Sequence, residues 1–167
     1  MKKIINILSF VTLFLFALST YAYGPGVKLL ASKIEMSPGM QGGFKENETM
    51  PPLTANGSAR AYAKAAPIFG KKTENITVSG SHAYIIENRT GRAQNYVLEY
   101  KLSMGDGRYI RKTDIVLLND NTSARGSASS YTNQYFPNTG SYRFIVETSI
   151  RGEHTDYKSD TNFVLVS

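Results

Sequence analysis

Apolar and polar residues alternate with a period of two along most of this chain, most cleanly from Gly140 to Arg151. There Tyr142, Phe144, Val146, Thr148 and Ile150 share one face, and Arg143, Ile145, Glu147, Ser149 and Arg151 share the other. Successive side chains of a strand point to opposite sides of a sheet, so the stretch predicts a half-buried strand at the centre of an antiparallel sandwich. Tyr96 to Ser103 repeats the pattern, with Tyr96, Leu98, Tyr100 and Leu102 on one side. Gly105-Asp106-Gly107 joins it to Arg108–Leu118. An Asp-Gly step between two such runs signals a hairpin, because the turn needs positive φ.

Further strands are predicted over Val27–Met36, Asn75–Ser79, His82–Asn88, Thr122–Tyr131, Glu153–Lys158 and Thr161–Val166, with a short one around Met40–Phe44. Gly80 reads as a break and Thr132–Gly140 as a loop containing Pro137. Ala59–Phe69 is divided: its alanines favour a helix by propensity. The alternation of Ala with Arg60, Tyr62 and Lys64 favours an edge strand, which is the preferred reading. About seven to nine short strands at intervals near ten residues make an all-β fold, a single antiparallel β-sandwich. The sandwich proper is assigned to 73–167, with 23–72 packing on it as an N-terminal strand and a long Gly/Pro-rich loop over 39–58. A structureless run of about 20 residues is unusual in a compact domain and is commonly functional or mobile.

The first residues add a compartment. Lys2 and Lys3 precede a nearly unbroken apolar run from Ile4 to Leu18, and Thr20-Tyr21-Ala22 follows. This is the layout of a cleaved secretory signal peptide over 1–22, with the cut expected after Ala22. The run falls short of the roughly 20 residues that span a bilayer, which argues against a retained anchor. The chain has no cysteine, so it carries no lipidation site and no disulfide although export would permit one. The expectation is an exported bacterial protein, periplasmic or secreted, with no stable membrane insertion once the leader is removed. Without Lys2 and Lys3 the chain has 17 basic against 13 acidic residues and no basic run longer than Lys71-Lys72. A nucleic-acid binder clusters such charge on one face or helix, so nucleic acid is not an expected partner.

Asn138-Thr139-Gly140-Ser141-Tyr142-Arg143-Phe144 resembles the entry to the F strand of immunoglobulin-like and fibronectin III-like domains. There a turn precedes a corner Tyr whose hydroxyl bonds upstream backbone. Ile85-Ile86-Glu87-Asn88-Arg89-Thr90-Gly91, a strand running into an Asn-x-Thr-Gly turn, is similar to bacterial Ig-like accessory domains, pilus-chaperone-like ones included. The Trp and the Cys pair of antibody-type domains are missing. The resemblance implies an Ig-like sandwich with Tyr142 as a structural corner. It also brings in a second functional reading, an accessory or chaperone-like factor for surface-structure assembly.

Candidate chemistry is sparse. His82 and His154 fall in different elements, and His154 with Glu153 and Asp156 is the nearest thing to a metal cluster; a solvated hairpin end explains it as well. Asn119-Asp120-Asn121, with Asp156 or Asp160, could offer Ca²⁺ oxygens, against which a plain Asx turn is the simpler reading. No Gly-x-Ser-x-Gly elbow or phosphate-cradling glycine loop occurs. No catalytic residue, metal or cofactor is therefore assigned, and the chain is read as a binding module rather than an enzyme. The candidate binding residues are Tyr131, Asn133, Gln134, Tyr135 and Phe136, in the Ser127–Asn138 stretch. Rigid aromatics among small polar groups give recognition loops contact area at low entropic cost. The competing reading has the same aromatics folding back over the core. A second surface is an edge strand, around Ala59–Ile68 or the C-terminal strand, adding to a partner's sheet. The expected partner is a protein, with carbohydrate as the other class considered; a small carbohydrate-binding or hydrolytic domain is the third functional reading.

Overall fold

The computed structural model describes residues 27–36, 42–45 and 57–167. The leader expected over 1–22 and most of the loop expected over 39–58 lie outside them. The described strands are β1 (Val27–Met36), β2 (Gly42–Lys45), β3 (Ala59–Lys64), β4 (Ile68–Gly70), β5 (Asn75–Asn88), β6 (Gln94–Met104), β7 (Tyr109–Leu118), β8 (Thr122–Tyr135), β9 (Gly140–Arg151) and β10 (Asp156–Val166).

They form two sheets, β1-β7-β6-β9-β10-β4 and β2-β8-β5-β3. Every pairing is antiparallel except β4 with β10. This is an Ig-like order: β3, β5, β8 and β2 take the places of strands A, B, E and D, while β6, β9 and β10 take those of C, F and G. β7 stands at the C′ position and β1 outside it, and the four edge positions of the two sheets are filled by the four strands that come first, β1 to β4. The segment before Thr73 is thus hydrogen-bonded into both sheets, through β1 and β4 in one and β2 and β3 in the other.

β9 lies between β6 and β10, and its alternation faces as the pattern predicts: Phe144, Val146, Thr148 and Ile150 are fully buried. The core has two apolar clusters. One gathers Val78, Leu102, Ile110, Phe136, Phe144, Val146 and Val164. The other gathers Tyr84, Ile86, Tyr96, Leu98, Val116, Leu118 and Ile150. Thr148 stands between Val146 of the first cluster and Ile150 of the second, where a buried polar contact crosses from sheet to sheet.

Two expected breaks are absent. Gly80 does not interrupt a strand; β5 runs from Asn75 to Asn88 as one piece. A Cβ at Gly80 would collide with both γ-methyls of Val146, so the glycine is there for close approach of the opposite sheet. β10 is likewise one strand, because the polar run Lys158-Ser159-Asp160-Thr161 pairs in register with Thr148-Glu147-Val146-Ile145 of β9. Backbone pairing holds the strand where the apolar pattern lapses. Ala59–Phe69 is strand rather than helix, split into β3 at the edge of one sheet and β4 at the edge of the other.

Candidate functional site

The predicted binding residues separate by parity. β8 extends through Tyr135, so Thr132–Tyr135 is strand and not loop. On a strand, 131, 133 and 135 face one way and 132, 134 and 136 the other. Asn133 and Tyr135 are exposed on the outer face of the second sheet, with Tyr131 half-buried beside them. The Asn133 carboxamide oxygen accepts a hydrogen bond from Thr77 Oγ1 at 2.8 Å. Gln134 and Phe136 turn inward, and their assignment to a binding surface is corrected. Gln134 is 3% exposed; it accepts from Arg108 Nη1 and donates to Thr132 Oγ1 at 3.0 Å. Phe136 is 1% exposed and packs on the Tyr142 ring at 4.6 Å between centroids. Tyr142 donates its hydroxyl to the Asn138 carbonyl at 2.9 Å, closing the turn before β9.

The histidines do not meet. His82, on β5, is 2% exposed, with Nδ1 2.9 Å from Thr148 Oγ1 on the opposite sheet and Nε2 2.7 Å from Ser130 Oγ on β8. Burial holds its pKa down at about 4, against the pull of the Glu147 backbone carbonyl. His154 sits at the β9–β10 turn beside Gly57. Among the described residues no three His, Asp or Glu side chains gather as metal ligands. Asp120 accepts from the Gly91 N–H at 2.8 Å, and Asn121 takes the positive φ of 55° that the turn needs.

Asp156 and Asp160 are used elsewhere. They occupy inward positions of β10, and each carboxylate crosses to the free edge of β3: Asp156 accepts from the Ala61 N–H at 2.7 Å and Asp160 from the Ala65 N–H at 2.8 Å. Asn162 donates to the Ala65 carbonyl at 3.3 Å. Side chains thus stand in for a missing strand and occupy an edge that would otherwise invite pairing. The Ala59–Ile68 edge proposed for strand addition is therefore filled.

The last residues of β10 do not form an edge either, because β4 covers them in parallel from Val164 to Val166. As β1 is at the other end of the sheet, β4 is the edge at this end among the described residues. Phe69 there is 74% exposed, in register with Leu165 at 38%, and Phe163 lies two residues along the same face at 44%. A shallow groove runs beside them, lined by Phe69, Lys71, Glu74, Ser141 and Leu165. The sequence pattern pointed to the C-terminal strand that carries Phe163 and Leu165, but not to Phe69 beside it. The strand's signal was present in Phe163-Val164-Leu165-Val166, which is apolar on both faces although one face of an end strand meets solvent.

No family model matches the chain, and no curated protein does. Solved structures with some likeness include AggA, the major subunit of aggregative adherence fimbriae type I from Escherichia coli, at 10% identity and a TM-score of 0.39, covering 70% of this chain and all of that one. The ASH/PapD-like domain of human CEP192 aligns at 10% identity and a TM-score of 0.31 over 72% of this chain and 96% of its own. BslA, a bacterial hydrophobin, aligns at 17% identity and a TM-score of 0.30 over 68% of this chain and 98% of its own. At these scores no activity or partner passes from them to this chain.

Proposed function

We propose that this chain is an exported, non-catalytic Ig-like module that binds a protein partner at the β4 edge. The observation that carries the reading is the contrast between two neighbouring edges. β3 is occupied by Asp156 and Asp160, whereas β4 ends its sheet with a three-residue strand and an exposed Phe69. An edge that no described strand covers, flanked by apolar side chains, suits an extended segment of a partner, whose backbone adds to the ladder while its side chains meet Phe69, Leu165 and Phe163. The enclosure of His82 between two hydroxyls supports binding over catalysis, since that imidazole serves the core. The same edge, with Lys71 beside it, also fits an accessory factor that holds a subunit of a surface structure during assembly.

The test is a site-specific photo-crosslinker at Phe69, compared with one at Tyr135 on the opposite face, in cells that export the chain. A single adduct protein from position 69, absent from position 135 and lost on Leu165→Ser, supports the reading. Equal labelling from both positions, or none from either, overturns it.

A further inference from the structure

The outer face of the second sheet, opposite the β4 edge, is a second surface with a chemistry of its own. Its residues stand in register across β3, β5 and β8. Arg60 and Arg125 flank Ile85 in one row, with Ile85 itself only 2% exposed; Tyr62, Ala83 and Ser127 form the next row, and Lys64, Ser81 and Ser129 the third. Beyond the end of β3 the rows continue as Ser79 with Tyr131, Thr77 with Asn133, and Asn75 with Tyr135. At a strand rise of about 3.4 Å per residue the six rows extend for roughly 34 Å.

Among the described side chains of these six rows the charges are all positive. Arg60, Lys64 and Arg125 are exposed, and among the described residues none of them has an ion-pair partner. Among the described side chains the only carboxylate in these rows or at their end is Glu87, and Arg89 holds it. The outer face of the first sheet differs. Two of its carboxylates sit among cations, Glu99 with Arg111 at 3.6 Å and Arg151 at 4.0 Å, and Glu147 with Lys101 at 3.1 Å. Glu147 also accepts from Tyr157 at 2.7 Å, and that bond pushes the Tyr157 hydroxyl pKa up.

We infer that the outer face of β3, β5 and β8 binds an acidic polysaccharide, a carboxylate-bearing sugar chain laid along the strands. Arg60 and Arg125 lie two strand spacings apart, about 9.6 Å, and Lys64 about 14 Å along β3 from Arg60. Duplex nucleic acid presents a charge every ~1.7 Å and is met by clustered Lys and Arg. Cations this widely spaced, with rows of Ser, Thr and Asn between them, instead match a polymer of sparse charge and many hydroxyls. Tyr62 and Tyr135 add ring faces and edges that can carry a sugar's apolar side, with Tyr131 half-buried beside them. Exposed ion pairs are screened within about 10 Å at 0.1 M salt, so binding weakens as salt rises.

The test is titration of the exported full chain with alginate at low and at physiological ionic strength. Dextran, poly-glutamate and single-stranded DNA serve as comparison polymers. The inference expects salt-sensitive binding to alginate and none to dextran. It also expects an affinity drop of about tenfold or more for Arg60→Gln/Arg125→Gln, and little change for Arg143→Gln, which removes an exposed cation from the other face. Poly-glutamate or DNA binding as tightly as alginate would reduce the face to general charge attraction and overturn the inference. So would an Arg143→Gln loss equal to that of Arg60→Gln, or no alginate binding at low salt. Retained thermal unfolding of each variant separates lost binding from lost fold.

Discussion

His82 on β5 and Thr148 on β9 meet at 2.9 Å across the interior, the one from each sheet, in the gap between the two apolar clusters. A histidine there is held neutral by burial, its pKa lowered from 6.5 to about 4. The unfolded chain binds the proton more readily than the folded one, so stability is full above pH 6.5 and declines as pH falls toward 4. Over that window the loss amounts to about 3 kcal/mol. Urea unfolding at pH 7 and pH 4 measures it. A His82 imidazole titrating near 6.5 by NMR in the folded protein would remove the mechanism.

Tyr142→Phe deletes the hydroxyl that reaches the Asn138 carbonyl and leaves the ring on Phe136. The expected cost is about 1 kcal/mol, the usual net worth of one hydrogen bond. A domain of this size converts that to a melting shift of roughly 2–4 °C. An unchanged melt would show that the corner bond contributes nothing.

Asp160→Ala strips the acceptor from the Ala65 N–H, and Asp156→Ala does the same to Ala61. Each is expected to cost on the order of 1–3 kcal/mol, since a partly buried donor is left without a partner. The orphaned amide should also exchange its hydrogen faster. Asp160→Asn, which keeps a carbonyl oxygen in place, should recover part of the loss. Exchange rates at Ala61 and Ala65 unaltered by either alanine variant would show that the β3 edge is held by other means.

Gly80→Ala places a methyl against Val146. Overpacking of this kind typically costs 1–3 kcal/mol. Val146→Ala in the same chain opens the space, so the double variant should be more stable than the sum of the single changes predicts. Gly91→Ala makes the contrast: nothing lies within 4 Å of its added carbon, but its φ of +80° penalises any side chain. That cost should not respond to Val146→Ala. A double-mutant cycle on chemical unfolding reads both.

The alternation of apolar residues determined the strands, their faces and the sandwich, because a period of two admits one geometry once a core must be covered on one side. It placed Phe144, Val146 and Ile150 correctly with no knowledge of their neighbours. The same arithmetic would have turned Phe136 and Gln134 inward, had Thr132–Tyr135 been recognised as strand. Polar side chains there hid it, since Thr132 and Gln134 satisfy each other inside the fold.

What the tertiary structure alone decided is where polar groups find partners. Asp156 and Asp160 read as solvated or calcium-binding residues until β3 lies beside β10. Gly80 reads as a breaker until Val146 arrives from the other sheet. Phe69 is an unremarkable apolar residue until β4 proves to be the last strand. In each case the deciding partner is more than 60 residues away in the chain, or is solvent at a sheet's edge. Hydrogen bonds and close contacts are satisfied in space, and a local pattern along the chain carries no record of them.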